Sequence, residues 1–477
     1  MVHWYHLAVA IGKGPTNSTW DGSACDGTVS FPDLGRDPFN GSAPVILYGP
    51  ACGKPVAGVV DTGLRTRSRT GVGDAPRVEV ALPQDANDPY LTTWEKTQPG
   101  PVVFEGTPCS FPGRVWRSKI GPYWNMLCSF NGTGCWARYT SSDPRLMRWK
   151  LADKSFVRNG HAPYCDAGAM FHRLPGSPLS GGGPTHVINA NTGSAFQFGR
   201  YDEQNETMVV MGTTVIDSSV AYQWAAAGRN GPDPMTDTGR LLTVAWLSWQ
   251  GWPGWDGYRT AAISLPREIR WDAPAKQLSS FPVEETALLR NTTFLRPTAL
   301  GDVPNGGRLI TLPIPFGRGG AVDISLSIEV PHGASGGLGI AARAPQGTTQ
   351  GAALTLQLQR ITTPDPSTGV RMVTASFTPL QTAPLVSGTS KPANVTFLLL
   401  KGELLEIRLI VDRPIVELFL MSGRAAFTST DENFRLDATS THVFDEGSGG
   451  GFMIRNASAY GMGCGWAKAR PQPVVAY

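Results

Sequence analysis

The sequence predicts an all-β protein, and three observations carry that expectation. Gly (56) and Pro (39) punctuate the whole 477-residue chain, a density that suits short strands joined by tight turns. Short β-rich runs alternate with those turns throughout. No window keeps an i, i+3, i+4, i+7 apolar pattern for three helical turns without an intervening Gly or Pro, so long amphipathic helices are not expected.

The chain is too long for one ordinary core, and a two-domain reading fits. In the first part, the expected strands include Pro44 to Tyr48, Val78 to Leu82, Trp124 to Phe130, Met208 to Thr214 and Leu241 to Trp246. Strand meanders spaced in this way suggest a propeller or a sandwich. After the segment Glu284 to Arg290 the strands become longer and alternate more regularly: Gly319 to Glu329, Ala352 to Arg360, Val370 to Phe377 and Glu403 to Leu420. A second all-β domain is expected there, with a hairpin in Leu405 to Phe419 that turns at Asp412-Arg413-Pro414. The domain expectation is therefore 1–290 and 291–477.

Charge is nearly balanced, with 41 Lys and Arg against 38 Asp and Glu and no run of five or six like charges. Neither a nucleic acid nor a membrane surface is indicated as partner. The longest apolar runs, Phe397 to Leu400 and Leu418 to Met421, fall far short of the roughly 20 residues that span a bilayer. The 14 Trp residues suit a site that stacks flat apolar faces, which sugar rings present.

Seven Asn-X-Ser/Thr sequons, at Asn17, Asn40, Asn131, Asn205, Asn291, Asn394 and Asn456, exceed the about two or three that chance would give. They point to the secretory pathway. The seven cysteines (Cys25, Cys52, Cys109, Cys128, Cys135, Cys165, Cys464) show no metal-ligand spacing, so disulfides are expected rather than a metal site. The opening Met1-Val2-His3-Trp4-Tyr5-His6 has neither a basic nor an apolar leader region, so a missing signal peptide and a shortened beginning are expected. The seven histidines show no ligand spacing, and neither a Gly-x-Ser-x-Gly elbow nor a phosphate loop is present, so no metal or cofactor is expected.

Several separated stretches, in order, resemble glycoside hydrolase family 32, the invertases, fructan hydrolases and related fructosyltransferases. The run Ile407 to Phe419, followed by Gly423-Arg424-Ala425-Ala426-Phe427-Thr428-Ser429, is similar to the family's sandwich signature. Upstream, Gly239-Arg240-Leu241-Leu242, Trp246, Ser264-Leu265-Pro266-Arg267-Glu268 and Pro282-Val283-Glu284-Glu285 resemble its last propeller blade and interdomain connection. At the other end, His3 to Leu7 resembles the end of the first blade. Trp20-Asp21-Gly22-Ser23-Ala24 resembles the Trp-Ser-Gly-Ser-Ala strand. The resemblance implies a five-bladed β-propeller, its first blade incomplete here, followed by a C-terminal β-sandwich. It also implies a small sugar, sucrose or a fructan, as the partner, and a secreted, cell-wall or vacuolar location.

Retaining glycoside hydrolysis needs an attacking carboxylate and a protonated carboxyl about 5 to 5.5 Å away. The family's attacking Asp sits in an Asn-Asp-Pro-Asn-Gly motif upstream of the stretch that matches His3, so it is expected before Met1. Asp88, in Asn87-Asp88-Pro89, matches a structural Asp-Pro-Leu-Leu segment instead and is a decoy. The family's third acid, in Arg-Asp-Pro, falls in Cys109-Ser110-Phe111-Pro112-Gly113-Arg114, where no acid stands. Arg114 is left as a hydroxyl-binding group or as an exposed loop residue. A literal Arg36-Asp37-Pro38 lies too early in the family order and is read as a loop.

A gapless match of Asp166 to Phe171 onto the family's Glu-Cys-Pro-Asp-Phe-Phe puts Asp166 at the acid/base. Matching Cys165 to the family Cys puts Tyr164 there instead, and a local turn role for Asp166 stays open. Trp20, Ser23 and Trp246 complete the substrate-binding candidates, and Asp202, after Tyr201, is read as a turn residue. The expected function is a β-fructofuranosidase-type hydrolase that cleaves terminal fructosyl linkages by the retaining two-carboxylate mechanism, impaired in this chain because the nucleophile motif is missing from it. The alternatives are a non-catalytic carbohydrate-binding protein derived from such an enzyme, and a fructosyltransferase.

Overall fold

The computed structural model describes residues 27–30, 45–48, 78–85, 93–96, 102–105, 109, 111–129, 136–143, 146–158, 171–177, 182–189, 194–219, 222–229, 240–247, 262–314, 321–379, 393–412, 415–430, 440–447 and 451–463. Their regular secondary structure is almost entirely strand, joined by turns, as the Gly/Pro punctuation predicts. The chain divides into two compact units, one mainly His6–Thr214 and the other mainly Leu242–Tyr477 with Val215–Ala226.

The first unit is a succession of antiparallel meanders. Strands β1 (Gly27–Ser30), β2 (Val45–Tyr48), β3 (Glu79–Pro83) and β4 (Trp94–Lys96) pair in sequence order. Next come β5 (Val103–Glu105), β6 (Phe111–Arg117), β7 (Trp124–Ser129), β8 (Trp136–Ser141) and β9 (Arg148–Asp153), in the order β5-β9-β8-β7-β6. The pattern repeats with β10 (Val157–Arg158), β11 (Phe171–Arg173), β12 (His186–Asn189), β13 (Ala195–Asp202) and β14 (Thr207–Val215), in the order β10-β14-β13-β12-β11. In both repeats the short incoming strand pairs parallel with the last strand of the meander it introduces.

Alternation explains how these sheets stack, because successive side chains of a strand point to opposite faces. Val115, Met126, Ala137 and Tyr139 of the second sheet pack with Val45, Leu47, Val78 and Val80 of the first. Their strand neighbours Trp116, Leu127 and Trp136 turn the other way and pack with Phe171, Ile188 and Met208 of the third. A strand buried on both faces carries apolar residues at consecutive positions, which is why Trp124 to Cys128 shows no polar alternation.

Backbone hydrogen bonds tie each sheet to the next. Phe156 donates its N–H to Trp136 O (2.9 Å) and accepts from Met208 N–H (2.9 Å), so one residue bridges the second and third sheets. Val102 does the same work between the first and second, donating to Val78 O (2.8 Å), while Val103 donates to Met147 O (2.8 Å). A buried carboxylate adds to this. Glu206, in the β13–β14 turn, enters the second sheet and accepts from Arg138 Nη1 (2.6 Å), Asn125 Nδ2 (2.8 Å) and Tyr123 Oη (3.0 Å). Its φ of 49° costs a non-glycine residue about 1–2 kcal/mol, which those charge-assisted bonds offset.

The second unit contains most of a further sheet, made by β15 (Tyr222–Arg229), β16 (Leu241–Leu247), β18 (Arg267–Asp272) and β19 (Gln277–Pro282), with β17 (Ala262–Ile263) on β16. A 3-10 turn, Glu284–Leu289, leads into β20 (Arg290–Thr298) and β21 (Gly301–Asp302). The remaining strands are β22 (Leu309–Leu312), β23 (Ala321–Glu329), β24 (Leu338–Ala344), β25 (Leu354–Ile361), β26 (Arg371–Pro379) and β27 (Ala393–Leu399). They are followed by β28 (Leu405–Asp412), β29 (Ile415–Leu420), β30 (Ala425–Thr430), β31 (Ser440–Asp445) and β32 (Met453–Met462). These form two sheets, β20-β32-β23-β28-β29-β30, with β21 on β32, and β22-β31-β24-β25-β26-β27. Leu326, Ile328, Leu409 and Leu418 of one meet Ile340, Leu356, Phe377 and Phe397 of the other in a single core. The hairpin expected at Asp412 is present, with Asp412 opposite Ile415.

Arg267, fully buried, fastens the last meander to the two-sheet core. It donates to Asp217 Oδ2 (2.9 Å), to Glu417 Oε2 (2.5 Å) and to Thr428 Oγ1 (2.8 Å). Two carboxylates thus share one guanidinium away from water. Burial pushes the Glu417 carboxyl above its ordinary range, with Arg267 opposing and Asp217 adding to the rise.

Arg267→Leu removes the guanidinium that both buried carboxylates share, and urea unfolding is expected to show a loss of about 3–5 kcal/mol. The sign of the pH dependence follows from the direction of the Glu417 shift. A raised carboxyl contributes stability that is complete below its ordinary value of 4.5 and fades as pH rises through the folded value. Glu417→Gln is expected to flatten that decline in denaturation midpoints measured from pH 4.5 upward.

Candidate functional site

Along the chain, the candidate segments lead into corresponding strands of successive repeats. In sequence, Trp20 and Ser23 precede β1, the segment Cys109 to Arg114 enters β6, and Asp166 precedes β11 by five residues. Strands β1, β6 and β11 each form the edge of their sheet, and β1 lies beside β6.

Of these residues Arg114 is described in full. It is a buried strand residue, 6% exposed, rather than the exposed loop residue that the sequence left open. The β6–β7 register slips between Pro112 and Val115, so Gly113 and Arg114 form a bulge. Bulges re-aim side chains and recur beside functional sites. A disulfide between Cys109 and Cys128 clamps the entry of β6 to β7, in line with the expected disulfides. Beyond the bulge, Val115 and Trp116 enter the two flanking cores, which holds the strand from both sides.

Trp246 lies in β16 with its backbone opposite Ile263; its side chain lies outside the described residues. Trp20, Ser23, Asp88, Tyr164 and Asp166 also lie outside them. The described structure therefore places Arg114 and brings no second candidate against it.

Sequence reasoning missed the aromatic group behind β6. Trp116, Phe156, Phe171 and Tyr201 pack with ring centroids 5.1–6.4 Å apart. His186 stacks on Phe171 at 4.9 Å, and Trp116 Nε1 donates to Tyr201 Oη (3.4 Å). Burial holds the Tyr201 phenol well above its ordinary value, so it stays neutral. Asp202 is the expected turn residue: its carboxylate accepts from Gln204 N (2.9 Å), Asn205 N (3.1 Å) and Asn205 Nδ2 (2.7 Å). The bonds from Asn205 hold its carboxyl below the usual range, which suits an acceptor and not a proton donor.

One pocket among the described residues is lined by Asp272, Glu403, Leu404, Glu406, Met421, Ser422 and Arg424. Arg424 in its wall is committed to ion pairs with Asp272 Oδ2 (2.7 Å) and Glu403 Oε2 (2.6 Å). Burial raises the Glu403 carboxyl, but the hydrogen bonds from Arg424 and from Leu400 N–H outweigh it, and the net direction is down. A carboxylate held ionised in this way is no general acid. Among the described residues no group of three or more His, Cys, Asp or Glu is placed to hold a metal ion. No helix among them is long and apolar enough to cross a membrane.

The fold has solved counterparts. Fructan 1-exohydrolase IIa from Cichorium intybus superposes with a TM-score of 0.70 at 18% identity, over 97% of this chain and 87% of that one. Exo-inulinase from Aspergillus awamori does so with a TM-score of 0.61 at 16% identity, over 93% and 84%. No family model matches. Sequence similarity nonetheless extends to β-fructofuranosidase, insoluble isoenzyme 4, of Oryza sativa subsp. japonica. It is 24% identical over 322 residues, 61% of this chain and 47% of the relative. The chain is related to glycoside hydrolase family 32. Acid β-fructofuranosidase 4, vacuolar, of Arabidopsis thaliana is 22% identical over 482 residues, 90% of this chain and 66% of that relative. The chain spans about half the length of the first of these family relatives and about two thirds of the second.

Removing the clamp on β6 is expected to cost stability. Replacing Cys109 and Cys128 together by Ala should lower the unfolding free energy by about 3 kcal/mol, read from urea denaturation under non-reducing conditions beside the parent protein.

Proposed function

We propose that this chain is a glycoside hydrolase of the β-fructofuranosidase type that binds terminal fructosyl units of sucrose or a fructan and turns them over poorly. The corresponding architecture is a five-bladed propeller, residues 1–290, and a sandwich, residues 291–477. The solved neighbours support this reading, since fructan 1-exohydrolase IIa of Cichorium intybus has been solved with 1-kestose. A secretory-pathway protein is the matching location, supported by the sequons and by a relative described as vacuolar.

The β6 bulge carries the argument for poor turnover. The stretch Cys109 to Val115 contains no acidic residue, and the side chain that the strand buries there is Arg114. A carboxylate accepts hydrogen bonds from sugar hydroxyls, whereas a guanidinium only donates. Arg114 therefore holds a sugar without the anionic partner that would strengthen its grip as positive charge develops on the ring. Asp166 is the proposed acid/base, donating a proton to the leaving oxygen. Trp20 and Trp246 are the proposed apolar platforms, and Ser23 a hydroxyl partner. The same bulge favours the second reading, a carbohydrate-binding protein without turnover.

Calorimetric binding and fructose release from sucrose and inulin test both readings. Binding is expected, with release slower than an ordinary turnover of about 10 s⁻¹ by at least about 10²–10³, the effect of losing one transition-state contact alone. Asp166→Asn should abolish the residual release and spare binding. Arg114→Ala should weaken binding about tenfold, equivalent to about 1.4 kcal/mol. Release at an ordinary rate would overturn the impairment, and the absence of both binding and release would overturn the whole reading.

A further inference from the structure

Four of the seven sequons fall on described residues, and their surroundings differ. Asn205 already commits its amide nitrogen to Asp202 (2.7 Å). Asn291 Nδ2 stands 3.3 Å from where a Cβ on Gly463 would lie. Asn456 sits on β32, an interior strand, and its sequon hydroxyl belongs to the buried Ser458. Asn394 and Thr396 are both exposed on β27, the edge strand of its sheet; Thr396 Oγ1 shares a hydrogen bond with Thr374 Oγ1 (3.2 Å), and the Asn394 amide is not engaged among the described residues.

Among the described residues, the edge is closed along one half of β27 and open along the other. Leu398 O accepts from Arg424 Nη1 (2.9 Å), and Leu400 N–H donates to Glu403 Oε2 (2.8 Å). The N–H and C=O of one residue leave a strand on the same side, and that side alternates along the chain. Residues 394 and 396 therefore turn their backbone groups outward as Leu398 does. The pairing of β26 agrees, because Met372, opposite Leu398, exchanges its own backbone bonds with Thr362 instead.

Proteins blunt such edges with charge, proline or a bulge. The run Ala393-Asn394-Val395-Thr396-Phe397-Leu398-Leu399 has no charge and no proline, and it pairs with β26 without a register slip. Met372, 47% exposed, lies opposite Leu398. This is the composition of a segment that recruits further strands.

We propose that Asn394 carries an N-linked glycan that closes the open half of this edge. In its attachment Asn394 Nδ2 displaces the pyrophosphate from C1 of an oligosaccharide carried on a lipid pyrophosphate. The N–C1 bond forms, the C1–O bond breaks, the amide gives up one proton and the lipid pyrophosphate leaves. The inference rests on the secretory reading above.

The test is glycopeptide mapping of the full chain directed through the secretory pathway of a eukaryotic cell, combined with size-exclusion chromatography over a range of concentrations. Asn394 is expected to carry a glycan, absent from Asn394→Gln and Thr396→Ala and kept in Thr396→Ser. The two glycan-free variants should self-associate as concentration rises, while Thr396→Ser stays like the parent. Enzymatic removal of the glycan from the folded parent should produce the same association, independently of how the variants fold. Glycans at other sequons but none at Asn394 would overturn the inference and leave the secretory reading standing. No glycan at any sequon would overturn both, and a glycan whose removal leaves association unchanged would overturn the shielding role.

Discussion

A strand edge whose N–H and C=O groups have no partner is the constraint around which this chain is organised. Each four-stranded meander has two edges, and the structure treats them differently. The outer edges of β9 and β14 are covered by β5 and β10, the segments that arrive from the preceding sheet. The parallel pairing is short, but it turns a connection into a hydrogen-bonded bridge, as the two bonds of Phe156 show. The opposite edges, β1, β6 and β11, receive no such cover among the described residues, and the candidate segments lead into them in sequence.

Buried carboxylates supply the second means of fixing one element against another. Glu206 comes from one sheet and its donors from the next. Asp323 receives Arg290 from β20 and Arg408 from β28, with bonds of 2.9 Å and 2.8 Å. Replacing such a cluster by apolar residues can leave stability intact, whereas removing one member strands a charge away from water. The clusters therefore specify alignment as much as they add free energy. Apolar alternation alone tolerates a slip of two residues along a strand; an acid that must reach a particular arginine does not.

Much of this architecture was legible because the sequence obeys simple periodicities. The strands around Val45, Trp124 and Leu241, and the hairpin at Asp412, follow from β-rich runs bounded by turn residues. Strands β5 and β10 were not legible, because three residues and two residues carry no period. Glu206 gave no signal either: inside Asn205-Glu206-Thr207 it looks like any solvated turn acid, and its burial depends on residues more than sixty positions away. Arg114 stood out through resemblance alone. That it is buried in a bulge depends on the flanking sheets and on the Cys109–Cys128 clamp, which local sequence does not specify.

The segments that most resemble the family, where they are described, are the ones folding itself demands. Arg267 in Ser264 to Glu268 and Glu417 in Ile407 to Phe419 meet in the buried cluster. Arg424 holds Asp272 and Glu403. Gly423, at φ 93°, has Ser280 O 2.3 Å from where a Cβ would stand, so no other residue fits. Losing any of these costs stability whether or not a sugar is ever cleaved. The β6 bulge obeys a different rule, since Val115, Trp116 and the disulfide hold the strand with no acid present. The strand thus folds without an acid at this position. Resemblance concentrated in folding residues therefore speaks for the architecture and leaves the chemistry to be argued from the site, because a fold does not by itself imply a function.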